Sequence, residues 1–196
     1  MSDTGKKMVE WLFSTDAVRV CPKDNPFWYT SGYIGPYYIN THFLYGSEEK
    51  ANELLEIINR EKDDMMTCPV ELLKLVRQNY EKDIVYRGVI DEMCSFIRDR
   101  IELTDVDCIS GGERRDWFFS IIIADILGKK HLTIYKDKKV VLLNGKKTEK
   151  AKSIKGWKVL HIADLMTKAS SYERAWIPAV KNTGGEIRWS VVVVDR

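Results

Sequence analysis

Two short segments hold the residue types that could do chemistry. One is Cys108-Ile109-Ser110-Gly111-Gly112-Glu113-Arg114-Arg115-Asp116, where an apolar run ends in two glycines and passes into charged residues. Glycine lets a backbone approach an anion closely, a helix start offers free N–H groups, and Arg114 or Arg115 could clamp phosphate oxygens. Gly-Gly by itself also reads as an ordinary strand-to-helix turn with surface charges. The other segment is Val159-Leu160-His161-Ile162-Ala163-Asp164-Leu165-Met166-Thr167-Lys168-Ala169-Ser170-Ser171, apolar up to an acidic residue and hydroxyl-bearing after it. An aspartate at a strand tip can accept hydrogen bonds from ribose hydroxyls. A Thr/Ser turn at a helix start can hold a phosphate through backbone N–H and hydroxyl donors. Taken alone, Ser170 or Ser171 reads as a helix N-cap.

Such segments work together only if a scaffold brings strand ends side by side. The second half of the chain reads as a strand at 105–110, a helix at 114–127, strands at 131–136 and 158–163, a helix at 171–182 and a strand at 187–194. That alternation predicts an α/β fold with a mostly parallel central sheet flanked by helices, in which ligands bind beyond the carboxyl ends of the strands. Val191-Val192-Val193-Val194 is continuously apolar, as expected of a strand covered on both faces. Lys136 to Gly156 is lysine-rich and contains Asn144-Gly145, a hairpin signal, so this stretch is either a hairpin or a mobile loop.

Upstream, residues 4–13 can form a short helix, and 17–45 is dense in aromatic residues broken by Gly32, Gly35-Pro36 and Gly46, suiting short strands and a binding lid. Helical periodicity follows from an N-cap at Ser47 and over 69–80 and 84–100. We therefore divide the chain into a helix and small aromatic hood at 1–46 and an α/β core at 47–196.

The 196 residues contain 31 Lys+Arg against 29 Asp+Glu, with 44% hydrophobic and 31% charged residues. This suits one folded domain and lacks the concentrated cationic balance of a nucleic-acid binder. Cys21, Cys68, Cys94 and Cys108 are too scattered for a zinc ribbon or a disulfide framework. His42, His131 and His161 lack metal-ligand spacing, and His161 inside an apolar strand reads as a hydrogen-bonded core residue. No apolar stretch approaches the roughly 20 residues of a membrane span, and no signal region opens the chain, so a cytoplasmic protein without membrane partners is expected.

The joint order of motifs resembles the type I phosphoribosyltransferases, and their orotate branch in particular. Residues 159–171 fit that family's frame of an apolar strand, an acidic tip and a Thr-Thr-Gly-Gly-Ser-type turn. Thr30-Ser31-Gly32-Tyr33-Ile34-Gly35-Pro36-Tyr37-Tyr38-Ile39-Asn40 is similar to the orotate enzymes' Lys-Ser-Gly-x-x-Ser-Pro-x-aromatic-aromatic-Asn. The resemblance spans about 25 to 194. It implies transfer of ribose 5-phosphate from phosphoribosyl pyrophosphate to a nucleobase such as orotate, with release of pyrophosphate. It implies roles too: Thr167, Lys168, Ala169, Ser170 and Ser171 for the 5-phosphate, Asp164 for the ribose hydroxyls, and Ser110, Gly111, Gly112, Glu113 and Arg114 for the pyrophosphate. Lys136, Lys138 and Lys139 would begin a loop closing over the site, with Lys136 and Lys139 joining Asp164 as catalytic groups. Thr30, Tyr38 and Ile39 would line the base pocket. Magnesium would be held through the substrate and water with no direct protein ligand, and the enzyme would be a homodimer.

The departures are equally specific. Ala163 stands where the family has its first acidic residue, Lys168-Ala169-Ser170 replaces a Thr-Gly-Gly sequence, and Thr30 replaces a lysine. Tyr135 stands at a common arginine position. Alanine at a position needing φ > 0 costs about 1–2 kcal/mol. These changes support an alternative expectation, a non-catalytic sensor or regulatory protein that binds phosphoribosyl pyrophosphate or a nucleotide.

Overall fold

The computed structural model describes residues 3–29, 32–151 and 153–196. Helix α1 (Asp3–Ser14) leads into two small antiparallel ribbons, β1 (Val18–Val20) with β4 (Tyr37–Ile39) and β2 (Phe27–Trp28) with β3 (Ile34–Gly35). A 3-10 turn at Thr41–Tyr45 follows, and then helices α2 (Glu48–Glu61), α3 (Cys68–Lys82) and α4 (Ile84–Arg100). Ser47 caps α2 by accepting from the Lys50 N–H, and Asp83 caps α4 by accepting from the Val85 and Tyr86 N–H groups. Pro69 sits in the first turn of α3, where its missing N–H is not needed.

The rest builds one six-stranded sheet from β5 (Cys108–Gly112), β6 (Lys130–Ile134), β7 (Val140–Asn144), β8 (Lys147–Lys150), β9 (Lys158–Met166) and β10 (Glu186–Asp195) in the order β10-β9-β5-β6-β7-β8. β10, β9, β5 and β6 run parallel; β7 and β8 are antiparallel additions. The Lys136–Gly156 stretch therefore contains a hairpin. Its Asn144-Gly145 turn places Gly145 at φ 58°, which glycine adopts without strain.

Both faces of β9, β5 and β6 are covered, as a parallel sheet requires, but β10 is an edge strand, and of the valines at 191–194, expected to be covered on both faces, only Val191 is buried. Helix α5 (Trp117–Ile126) is apolar all round and is buried between the sheet and α3 and α4, with Ile109, Leu160, Ile162 and Val191 of the strands in the same core. On the opposite face Trp176, Ala179 and Val180 pack on Cys108, Leu132, Ile134 and Val159. Residues of α1 and of the Thr41–Tyr45 turn join the main core, so the hood proper is the ribbon region between them.

Element boundaries differ from the sequence pattern in four places that matter to the site. β5 continues to Gly112, so both glycines lie in the strand, and β9 continues to Met166, so Asp164 is inside it. α5 begins at Trp117, three residues later than the pattern suggested. The expected helix at 171–182 is a π turn at Tyr172–Trp176 followed by α6 (Ile177–Asn182). Pro178 has no N–H to extend an i→i−4 ladder, and the turn before it closes instead through the Ile177 N–H to the Tyr172 carbonyl.

Candidate active site

β5 and β9 are adjacent, yet the chain leaves them in opposite directions: β5 through α5 to β6, and β9 through α6 to β10. Their carboxyl ends form the crevice at which open parallel sheets bind ligands. A cavity of about 290 Å³ opens there, walled by Glu113–Asp116, Lys136, Ala163–Tyr172 and Trp176.

Most of the residues singled out from the sequence meet in this cavity: Asp164, the whole Thr167–Ser171 segment, Glu113, Arg114 and Lys136. Others do not. Ser110, Gly111 and Gly112 lie behind it inside β5. The Ser110 hydroxyl is buried and pairs with His161 Nδ1 at 2.8 Å. A Cβ on Gly111 would run into Ser120, and one on Gly112 would run into the Trp176 indole, so these glycines allow helix and strand to pack closely and do not face the cavity. Glu113 acts as a strut: its carboxylate accepts from Lys62 Nζ at 3.1 Å and from the Lys136 N–H at 3.1 Å. Lys138 and Lys139 lie in the tight turn between β6 and β7, where the Tyr135 N–H donates to the Lys139 carbonyl and Lys139 Nζ pairs with Asp137 at 2.6 Å. Lys139 is therefore not brought to the cavity.

In the hood, Tyr38 and Ile39 are half-buried and outside the cavity wall, with the Tyr38 ring 5.9 Å from Phe27 and 6.1 Å from Tyr29. Thr30, the third base-pocket candidate, lies outside the described residues. The hood is tied to the site end of the sheet by cations over its rings: Arg196 lies over Tyr29 and Tyr37, and Lys168 lies 6.0 Å from the Tyr33 centroid.

Two positions beside Asp164 escape sequence reasoning. Asp116 precedes α5, where an aspartate would ordinarily cap the helix, but its side chain makes no cap. It turns back to accept from the Gly112 N–H at 2.9 Å and the Asp164 N–H at 3.0 Å. Thr41 donates its hydroxyl to Asp164 Oδ2 at 2.7 Å, across 123 positions of sequence. Arg115, which the sequence offered as an alternative phosphate clamp to Arg114, joins Arg114, Lys136 and Lys168 as the fourth cation of the wall. A polar residue beside a helix start is the only local sign of Asp116, and none points to Thr41.

Burial, followed by the neighbouring Asp116 charge, pushes the Asp164 carboxyl up to about 7, against the opposing Thr41 hydrogen bond and Arg115 charge. His42 is buried behind the site against Phe43 and Phe118. Desolvation and the Arg115 and Arg114 charges lower it to about 3, so it is neutral at pH 7. His131, which bonds Thr133 and Ser120, is lowered to about 3 by the same burial. All four cysteines are free. Burial raises the Cys68 thiol to about 11 and the Cys94 and Cys108 thiols to about 12, so these three are inert packing groups at neutral pH.

Among solved structures the chain is similar to phosphoribosyltransferases. Leishmania donovani UMP synthase matches it with a TM-score of 0.57 at 14% identity, over 100% of this chain and 32% of that one. Aeropyrum pernix orotate phosphoribosyltransferase matches with a TM-score of 0.54 at 18% identity, over 96% and 81%. For Francisella tularensis orotate phosphoribosyltransferase the TM-score is 0.52 at 14% identity, over 94% and 68%. The chain thus spans about a third of the UMP synthase chain. No family model and no curated protein matches the sequence. The fold is that of the type I phosphoribosyltransferases, an α/β core around a six-stranded, mostly parallel sheet. Among the described residues no helix is long and apolar enough to cross a membrane.

Proposed function

We propose that the protein is a phosphoribosyltransferase of the orotate type, transferring ribose 5-phosphate from phosphoribosyl pyrophosphate to a nucleobase and releasing pyrophosphate. The observation that carries this reading is the convergence, in one crevice at the ends of β5 and β9, of a hydroxyl-rich turn, a buried carboxyl and a set of cations. The turn Thr167–Ser171 would take the 5-phosphate on its hydroxyls, backbone N–H groups and the Lys168 ammonium. Asp164 would meet the ribose hydroxyls, and Arg114, Arg115 and Lys136 would hold pyrophosphate as it leaves. The transition state at the anomeric carbon is oxocarbenium-like, so fixed charges and a dry cavity contribute more than a nucleophile would.

Magnesium suits this donor set in one form. The oxygens of Glu113 and Asp116 are already engaged within the chain, and one oxygen of Asp164 is held by Thr41, so the ion would arrive on pyrophosphate and ribose oxygens and water. When bound it neutralises charge on the leaving pyrophosphate. A homodimer, with a neighbouring subunit helping to cover the cavity, belongs to the same proposal.

A second reading has a specific observation in its favour. The lysine segment after β6 forms a sheet-bound hairpin, and of its first lysines only Lys136 reaches the cavity. A turn this short after β6 suits a sensor that binds phosphoribosyl pyrophosphate or a nucleotide without turning it over. Pyrophosphate release with magnesium, phosphoribosyl pyrophosphate and each of orotate, uracil, adenine, hypoxanthine and guanine separates the two. Release with one base establishes the transferase. Calorimetric binding without release for any of these bases points to the sensor or to an acceptor base outside this set.

A further inference from the structure

Asp116 spends its helix-capping position on something else. One carboxylate oxygen accepts from the Gly112 N–H at the end of β5 and the other from the Asp164 N–H in β9, so a single side chain clamps the two strands that form the crevice. It is 6% exposed, and its Oδ2 lies 3.6 Å from the buried His161 Nε2. Asp164 is 8% exposed, receives the Thr41 hydroxyl on Oδ2, shares the cavity wall with Asp116, and gives its own N–H to Asp116 Oδ1 at 3.0 Å, which brings the two carboxyls into interaction. Two carboxyls this close, both shielded from water, cannot both carry a full charge cheaply.

We infer that Asp116 is a positioning residue whose carboxylate splints β9 to β5 and shares one proton with Asp164, so that Asp164 meets a ligand as a hydrogen-bond donor as well as an acceptor. The consequence for recognition rests on the ribose-phosphate reading of the cavity. A ribose whose vicinal hydroxyls donate to Asp164 favours its ionised form, so binding at neutral pH drives a proton out of the pair. Arg115, from the same turn as Asp116, works in the same direction as the ligand. The Tyr172 phenol, on the π turn, is raised by burial and by both carboxylates and stays neutral.

The test is a carboxyl ¹³C NMR titration of aspartate-labelled protein without ligand, with the Asp164 signal assigned by its loss in D164N. In the wild type that signal titrates near neutrality, and in D116N its midpoint falls by at least one pH unit. A proton shared by the pair also gives the wild type a second aspartate carboxyl signal that moves with the Asp164 midpoint, and D164N, which keeps Asp116, loses that step; this decides the matter if D116N does not fold. An unchanged midpoint in a folded D116N, or no second carboxyl signal moving with Asp164 when D116N fails to fold, overturns the inference and leaves Asp116 a purely structural tie. Calorimetry with ribose 5-phosphate in two buffers of different ionisation enthalpy then counts protons at pH 7: more are released from the wild type than from D164N or D116N. No binding of ribose 5-phosphate by the wild type would sink the function proposed above, while the titration still judges the carboxyl pair.

Discussion

Ala169 occupies a left-handed conformation at φ 50° in the turn that would hold phosphate. That conformation costs a residue with a Cβ about 1–2 kcal/mol, and glycine gives back about 0.5–1 kcal/mol through its freer unfolded chain. Ala169→Gly should therefore stabilise the protein by up to about 1 kcal/mol in urea denaturation. Asp164 makes a separate claim about pH. Its carboxyl holds a proton more tightly folded than unfolded, so its contribution to stability is present below the ordinary carboxylate range and is lost as pH rises to about 7. His42 and His131, depressed to about 3, act oppositely: their folded forms bind fewer protons, and stability falls as pH drops below the usual histidine range. The difference in thermal midpoint between wild type and D164N isolates the aspartate and should fall steadily from pH 4 to 7. A flat difference would contradict the burial argument.

Between elements, the decisive contact is Gly112 of β5 against Trp176 of the π turn. The indole is 6% exposed and packs with Ala179 and Val180 on the second face of the sheet, so it cannot rotate away without opening a void. Gly112→Ala should destabilise by about 1–3 kcal/mol and displace the cavity wall. Urea midpoints and ribose 5-phosphate affinity are the checks, and loss of both is expected. The helices and the parallel strands could be read from periodicity, because burial on one or two faces imposes it. The ends of β5, β9 and α5 could not, because Gly111, Gly112 and Asp164 gain their places from Ser120, Trp176 and Asp116, which the local pattern does not connect.

At the scale of the molecule, the hood is held to the sheet by Arg196 over Tyr29 and Tyr37, with Lys168 near Tyr33 as a second cation. The Arg196 N–H also donates to the Met166 carbonyl at the end of β9, so hood, last strand and phosphate turn share one anchor. Each cation–π contact contributes about 0.5–1 kcal/mol at an exposed site. Arg196→Ala, which removes two such contacts, should therefore cost no more than about 1–2 kcal/mol of global stability while raising amide hydrogen exchange several-fold over 27–39. Unchanged exchange there would show that the ribbons stand by their own packing. The chemistry-bearing segments and the α/β order were legible in the sequence, because glycine, hydroxyl and apolar patterning act over a few residues, whereas the valine run at 191–194 reads as a fully covered strand but forms part of the half-buried edge strand β10. Tertiary structure alone decided that Thr41 and Asp116 surround Asp164 and that Glu113 is a strut. It also decided that Lys139 stays in its turn and that the glycines of β5 serve packing. Those outcomes depend on burial and hydrogen bonds between residues up to 123 positions apart, and spacing along the chain carries no record of such distances.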